Sequence, residues 1–255
     1  MTEPSMKSVR NKAFATGVAF GAGATLLIGL AAQQTVDMNR PAPATQEATT
    51  HQSQQPSTTP TRENPTAPAG LARRDPNDVM ALGRVDAPVV IVEFADYRCP
   101  FCSHFEQTIL PQIRSEYIDK GLVRLEYRDM PVFGQQSAAT AMAGRAAGAQ
   151  GKFWEYMDVV AANGVVEGGH PDLTTDRLIA FAGQAGVPDI DTFTAALSDQ
   201  ATLELIKADF TLAQQMGFSG VPAFWVNDTA VIGAQPFENF SKVIDLELKQ
   251  AGVPR

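Results

Sequence analysis

Cysteine is scarce in this chain: only two of its 255 residues are cysteines, Cys99 and Cys102. So few cysteines exclude a scaffold of several disulfides, a four-cysteine zinc site and a four-cysteine iron–sulfur cluster. Histidine is nearly as rare, with His51, His104 and His170. A zinc site would have to draw its remaining ligands from these three residues, so we expect no metal site and no bound cofactor.

An excess of positive charge is also missing, since 20 Lys and Arg residues face 28 Asp and Glu residues and the formal net charge is −8. Phosphate contacts need clustered basic side chains, so the composition argues against nucleic acid as a partner. Hydrophobic residues nevertheless make up 44% of the chain. This content is enough for a buried core and excludes disorder of the whole chain.

Charged residues are absent from the apolar run over residues 13–32, which is about long enough to cross a bilayer. Residues 1–12 carry three basic side chains, so we expect them to form a cytoplasmic tail and the rest of the chain to be exported. Two interpretations stay open. An uncleaved, single-pass transmembrane anchor in the lipid bilayer is favoured by the length of the run; a signal peptide cleaved near Ala31 or Ala32 is the alternative.

Aromatic residues are absent from residues 33–75, a segment rich in Thr, Pro, Gln and Ala. Such a composition buries too little surface to offset the entropy of ordering the chain. We therefore expect a disordered linker, followed by one domain over residues 76–255.

The hydrophobic pattern of this domain predicts an α/β fold. Val89–Ala95 is an apolar, β-branched run typical of a buried central strand. The remaining predicted elements are a helix from Pro100 to about Gly121, a strand over Leu122–Tyr127, a helical insertion over about 137–217, a hairpin of Ala223–Val226 and Ala230–Ile232, and a last helix over Glu238–Lys249.

The two cysteines lie where the buried strand ends and the next helix begins, separated by Pro100 and Phe101. The unpaired amides and the dipole at a helix start stabilise a thiolate, so we expect a lowered pKa for Cys99. Cys102 lies one turn further on the same face, close enough to form a disulfide with Cys99. A stabilised reduced form makes such a pair a strong oxidant.

The stretch from Glu93 to Cys102 resembles the active-site strand and helix of the thioredoxin superfamily. It is most similar to the DsbA-like thiol–disulfide oxidoreductases, in the membrane-anchored form found in Gram-positive bacteria. Further matches, over about residues 78–250 in all, are Gly151-Lys152-Phe153-Trp154, Gly220-Val221-Pro222-Ala223-Phe224 and Gly233-Ala234-Gln235-Pro236-Phe237. The resemblance implies a thioredoxin-like fold with a helical insertion.

The resemblance also implies roles for five residues. Cys99 would be the exposed nucleophile and Cys102 its buried partner. Glu93 would be a buried carboxylate that shuttles protons beneath Cys102, and burial in a strand should raise its pKa. Pro222 would be a cis-proline facing the cysteines, and the backbone of Val221 would pair with an extended substrate peptide.

Phe101 departs from the family pattern, because the best-known members carry histidine between the two cysteines. The change removes one cation that would stabilise the thiolate and leaves an apolar side chain that we assign to substrate binding. Arg98 and His104 are near enough in sequence to compensate, whereas Asp96 would oppose them. For His104, a solvated helix position is the simpler interpretation.

These observations predict an extracytoplasmic oxidase that introduces disulfides into exported, thiol-containing proteins through Cys99 and Cys102. The resemblance implies a quinone-linked membrane protein as the partner that reoxidises the pair. A reductase or isomerase is the alternative within the same enzyme class, and a chaperone-like binding module with secondary redox activity is the alternative outside it.

Overall fold

Five strands form one mixed sheet in the computed structural model, which describes residues 67–164 and 169–253. In spatial order the strands run β1-β3-β2-β4-β5; β3 is parallel to β2, and the other neighbours are antiparallel. Their bounds are Ala81–Leu82 (β1), Val89–Ala95 (β2), Val123–Asp129 (β3), Ala223–Val226 (β4) and Thr229–Ile232 (β5). The apolar β2 is central and buried along its whole length, as its composition predicts.

After β2, one continuous helical segment, which we number α1, runs over Pro100–His104, Phe105–Ile109, Leu110–Ile113 and Arg114–Ile118. Its second and fourth parts are π-helical. Pro111 lacks a backbone N–H, so it cannot complete the regular helical ladder, and a π-helical turn accompanies it.

Five helices lie between β3 and β4, and a sixth follows β5. Their bounds are Gln135–Gly148 (α2), Phe153–Ala162 (α3), Thr175–Gln184 (α4), Ile190–Ala196 (α5), Gln200–Gln215 (α6) and Phe237–Gln250 (α7). Thr174, Asp189 and Asp199 cap α4, α5 and α6 through their side-chain oxygens. The predicted hairpin is confirmed, and Asn227 in its turn adopts a φ of +46°.

The sheet separates two layers of core. On one face, α1 and α7 pack through Phe105 and Phe240 against Ile91 of β2. On the other face, Leu71 and α6 cover Val92 of β2 and its neighbours. The insertion helices bury a further cluster that includes both cysteines, so the Cys-containing end of β2 and α1 lies where the sheet and the insertion meet.

The last part of the predicted linker contacts the domain. Residues 67–75 belong to the described structure, where Leu71 is buried and the backbone amides of Arg73 and Arg74 both donate to the carboxylate of Glu126, at 2.8 Å each. We call residues 67–75 the arm. The buried Leu71 and the backbone amides of the arm thus contact the sheet.

The predicted cytoplasmic tail at residues 1–12 and the predicted anchor or signal peptide at 13–32 lie outside the described residues, as does the predicted linker up to residue 66. Among the helices that the structure describes, none has the length and apolar character to span a membrane.

Candidate active site

Cys99 and Cys102 stand at the start of α1, directly beyond the end of β2. Cys99 is the N-cap residue, with φ −79° and ψ 120°, and Pro100 is the first helical residue. Both cysteines are free thiols, so the structure describes the reduced form. The expectation of an exposed Cys99 is wrong in this form: the residue is 2% exposed, because the segment around Val221 covers it.

The two thiols have opposite pKa shifts. The Cys102 thiol donates to the Cys99 sulfur, and together with the amides of Cys102 and Phe101 it lowers the pKa of Cys99 to about 7, against burial and the charge of Asp96. Burial, together with the Cys99 thiolate beside it, raises the pKa of Cys102 well above its usual value. Cys99 is therefore the thiol that ionises near neutral pH, as its place at the helix start predicts.

A cis-proline faces the cysteine pair. The Val221–Pro222 peptide bond is cis, as the resemblance implies. The carbonyl oxygen of Val221 lies 3.6 Å from the Cys99 sulfur and accepts its hydrogen bond. Backbone rather than side chain is therefore what the 220–222 segment presents to the reactive sulfur.

Glu93 lies on β2 beneath the cysteines and is completely buried. Burial, with the nearby carboxyl of Glu106 adding to it, raises the pKa of Glu93 well above its usual value. Among described groups, none has hydrogen-bonding geometry to either carboxyl oxygen of Glu93 or to Oε1 of Glu106. Burial and the charge of Asp158 raise the pKa of Glu106 to about 8, so at neutral pH this pair retains a proton.

Glu106 is a residue that the sequence analysis missed. It follows Cys102 by four positions on α1, so helical periodicity puts the two on one face. Both residues, with Tyr127, line a small cavity of about 10 Å³, which is close to the space one water molecule needs. The spacing alone was the available signal.

A larger, open groove lies on the outer side of Cys99. Its volume is about 510 Å³, and Phe101 stands in it with 66% of its surface exposed. Cys99, Pro100, Phe101, Val132, Phe133, Gly169, His170, Ser219, Gly220 and Val221 line it. Phe101 and Val221 thus reach the same groove as the reactive sulfur, where a substrate chain has room.

Two charged residues before Cys99 hold the loops around the groove. Asp96 accepts from the backbone amides of Arg98 and Val132, at 2.8 and 2.7 Å. The guanidinium of Arg98 is bound by the carbonyl oxygens of Phe133 and Pro171, at 2.7 and 2.9 Å. Arg98 therefore holds together the loops that contain Phe133 and Pro171, a role that the sequence analysis did not assign.

The histidine on α1 lies outside the site. His104 is exposed on α1 and lies beside the hydroxyl of Thr108, one turn along the same helix. This agrees with the interpretation of a solvated position. Within residues 67–164 and 169–253, no three His, Cys, Asp or Glu side chains come together as a metal site would require.

Comparison with known proteins identifies the family. The family model described as Thioredoxin matches residues 75–246. The probable disulfide bond formation protein D of Bacillus cereus is 33% identical over 174 residues, which is 67% of this chain and 79% of the relative. The disulfide bond formation protein D of Bacillus subtilis is 27% identical over 175 residues, covering 66% and 76%.

Solved structures agree. The crystal structure of oxidised BdbD from Bacillus subtilis superimposes with a TM-score of 0.62 at 27% identity, covering 67% of this chain and 92% of that one. Alpha-DsbA1 from Wolbachia pipientis gives a TM-score of 0.60 at 25% identity, covering 69% and 94%. With the CxxC pair, the cis-proline and the helical insertion, these matches show that the chain belongs to the thioredoxin family and is a DsbA-like thiol–disulfide oxidoreductase that introduces disulfide bonds.

Proposed function

We propose that Cys99 and Cys102 form the redox pair of this oxidase and that it oxidises exported proteins outside the cytoplasm. The observation that carries the proposal is the asymmetry of the pair: the pKa of Cys99 is lowered to about 7 while that of Cys102 is raised. The thiol of lower pKa is the better leaving group, so release of substrate from Cys99 is fast and the reduced pair is favoured.

In the forward reaction a substrate thiolate attacks Sγ of Cys99 in the Cys99–Cys102 disulfide. A mixed disulfide forms on Cys99, and the Cys102 sulfur leaves with the electron pair and takes a proton. Glu93 is the assigned donor of that proton, because it is buried beside Cys102 and retains a proton at neutral pH. A second substrate thiolate then attacks the substrate sulfur and releases Cys99 as a thiolate.

Val221 and Pro222 position the substrate in this scheme. The Val221 carbonyl accepts from the thiol of Cys99 in the reduced form. When Cys99 is part of a disulfide it has no S–H to donate, so the same carbonyl is available to a backbone N–H of an extended peptide. Phe101, exposed in the groove, supplies apolar contact to that peptide.

The location and the partners belong to the proposal. The apolar run at residues 13–32 behind a basic tail supports a single-pass membrane protein with its catalytic domain outside the cytoplasm. Each turnover leaves both cysteines reduced, and no other cysteine is present in the sequence to accept the electrons. A quinone-linked membrane protein that oxidises Cys99 directly completes the cycle.

The reduction potential of the pair tests the proposal. Equilibration of the full-length protein with glutathione, read by mass spectrometry of trapped thiols, should give a value towards about −120 mV. A value near −270 mV would assign the protein to the reductases instead. In parallel, oxidation of an unfolded two-cysteine protein should be lost in Cys99→Ser and retained in the matched surface variant Ser115→Ala; oxidation that survives Cys99→Ser would overturn the assignment.

A further inference from the structure

His170 lies across the groove from α1, in the loop between α3 and α4. Its Nδ1 is 2.9 Å from the backbone carbonyl oxygen of Arg98, the residue before Cys99. Its ring stacks on Phe133 with the centroids 3.9 Å apart. His170, Phe133 and Cys99 all line the 510 Å³ groove. An imidazole from the insertion is thus held in the same groove as Cys99.

Three interactions that involve Arg98 hold this imidazole in place. The guanidinium of Arg98 binds the carbonyl oxygens of Pro171, next to His170, and of Phe133, which supports its ring. The carbonyl of Arg98 itself binds His170. The ring is therefore fixed on its flat face and at one nitrogen, although it lies on the surface.

The hydrogen bond at Nδ1 also sets the tautomer. A backbone carbonyl only accepts, so Nδ1 must carry the hydrogen, and in the neutral ring Nε2 is then the basic nitrogen. Among the described residues none forms a hydrogen bond with Nε2. The ring consequently offers a free base on an apolar groove that a substrate cysteine must enter to reach Cys99.

We propose that His170 is a catalytic residue that takes the proton of the incoming substrate thiol. The proposal rests on the function proposed above. The proton passes from the substrate sulfur to Nε2 and then to solvent, since His170 is exposed. The substrate sulfur attacks Sγ of Cys99, a new S–S bond forms and the Cys99–Cys102 bond breaks. Its electron pair goes to Cys102, so the enzyme's own disulfide is the oxidant.

The gain comes from the weak acidity of ordinary cysteines. A free thiol has a pKa of about 8.5, so only about 3% of it is thiolate at pH 7. A base in place raises the reactive fraction, at most about thirtyfold at this pH on the same arithmetic. Among the described residues, His170 is the histidine that lines this groove.

The charges around His170 bear on its pH profile. The Arg98 guanidinium lies beside it on the side of α1, and the Asp96 carboxylate is engaged by the amides of Val132 and Phe133. On the chain after His170, Asp172 accepts from the side-chain amide of Gln136. Cys99 is the remaining titratable group of the groove. The two carboxylates are thus held by donors other than the imidazole.

The test compares two thiols in full-length oxidised protein. The first is a peptide with one ordinary cysteine; the second is an aryl thiol that is already ionised at pH 7 and needs no base. The variant is His170→Asn, whose amide can still donate to the Arg98 carbonyl but which lacks the basic nitrogen. We expect the cysteine peptide to react about tenfold slower at pH 7 and the aryl thiol to change less than twofold.

The pH profile adds an independent readout. The difference between the wild type and His170→Asn should shrink towards pH 9.5, where the peptide thiol is ionised without help. His170→Phe keeps a ring against Phe133 and should lose as much as the Asn variant. His104→Asn, exposed on α1, is the matched control and should change neither rate more than twofold.

The outcomes separate the two hypotheses. Equal slowing of both thiols at every pH would give His170 a purely structural role and overturn this inference. An unchanged rate in His170→Asn would overturn it as well. If the wild-type protein oxidised neither thiol, the proposed function would fail before His170 was tested.

Discussion

Two buried glutamates on adjacent strands meet opposite fates. Glu93 of β2 is in register with Tyr127 of β3, and Glu126 of β3 is in register with Val92 of β2, so the two carboxyls point to opposite faces of the sheet. Both are 0% exposed. The pKa of Glu93 is raised well above its usual value, whereas that of Glu126 is lowered to about 2.

The difference comes from the donors that each face supplies. Glu126 accepts from the side chains of Arg124 and Arg128 at 2.8 Å each, and from the arm amides of Arg73 and Arg74 at the same distance. These four donors outweigh the burial that opposes them. Glu93 meets burial and another acid, Glu106, with no cation.

Burial therefore does not decide what a carboxyl does in this fold. With four donors, Glu126 is ionised and anchors the arm. Without such donors, Glu93 retains a proton next to the sulfur of Cys102, which needs one when the disulfide opens. Asp209 extends the ionised side, since Arg73 and Arg145 bind its two oxygens at 2.6 Å each. The surroundings of Glu126 hold charge, and those of Glu93, beside Cys102, hold a proton.

The largest expected effect comes from removing the carboxylate of Glu126. Glu126→Gln leaves Arg124 and Arg128, which are 4% and 0% exposed, without their carboxylate. Loss of one member of a buried ion pair costs about 3–5 kcal/mol, so we expect the free energy of unfolding to fall by this amount. Urea unfolding at pH 7 measures it.

The control for this variant is an exposed ion pair between β1 and β2. Arg84→Gln removes an exposed pair with Asp86 and should change the unfolding free energy by less than about 1 kcal/mol. A loss in Glu126→Gln no greater than that in the Arg84 variant would show that the four donors add nothing. The comparison between the two glutamates would then lose its energetic meaning.

The second prediction concerns Glu93 and Glu106, whose replacement should reduce a loss of stability rather than cause one. An acid with a raised folded pKa binds its proton in the folded protein while the unfolded chain has lost it. Stability therefore falls as pH rises from about 4.5 towards the folded pKa, which for Glu106 is about 8. Glu93→Gln/Glu106→Gln removes this loss, so the variant should lose about 3 kcal/mol less stability than the wild type between pH 5 and pH 8.

Unfolding in urea at pH 5 and pH 8, with the cysteines reduced, checks this sign. Contributions of Cys99 and of Asp129, whose pKa burial raises to about 6, are present in both proteins and cancel in the difference. Glu126 is ionised throughout this range because its pKa is about 2. A double variant whose stability falls as much as that of the wild type between pH 5 and pH 8 would contradict the proton-retaining role of the pair.

The sequence predicted one side of this comparison better than the other. Local pattern predicts the buried strand with Glu93, the helix start and the CxxC pair. Pro222 follows from the resemblance, which rests on a short continuous motif. The alternation of Leu122–Tyr127 predicts a strand, but it does not say whether the polar face is solvated. That face is buried because the arm and α6 supply its partners from 53 and 83 residues away, counted from Glu126 to Arg73 and Asp209.

The contact between His170 and Arg98 was missed for a related reason. His170 is 72 residues from Arg98 in the chain, and no local pattern joins them. Their contact depends on how the insertion folds back over α1. Glu106, by contrast, stands four residues after Cys102 on one helix, so its position was accessible to periodicity.

The smallest expected effect comes from adding a cation near the cysteine pair, on the side of the sheet where Glu93 has none. Phe101→His places an imidazole in the first turn of α1, between the cysteines, where it is 66% exposed if it follows Phe101. We expect the pKa of Cys99 to fall below about 7 at low salt, by an interaction worth about 0.3–1 kcal/mol, and the pair to become more oxidising. Ultraviolet absorbance of the thiolate during a pH titration measures the shift.

Phe101→Leu is the matched apolar control and should leave the pKa of Cys99 near about 7. Salt distinguishes this cation from the buried arginines around Glu126, since an exposed charge is screened and a buried pair much less so. The shift in Phe101→His should therefore shrink in high salt, while the loss in Glu126→Gln should persist. A Phe101→His shift that resists salt would place the imidazole in a buried contact with the sulfur rather than at an exposed position.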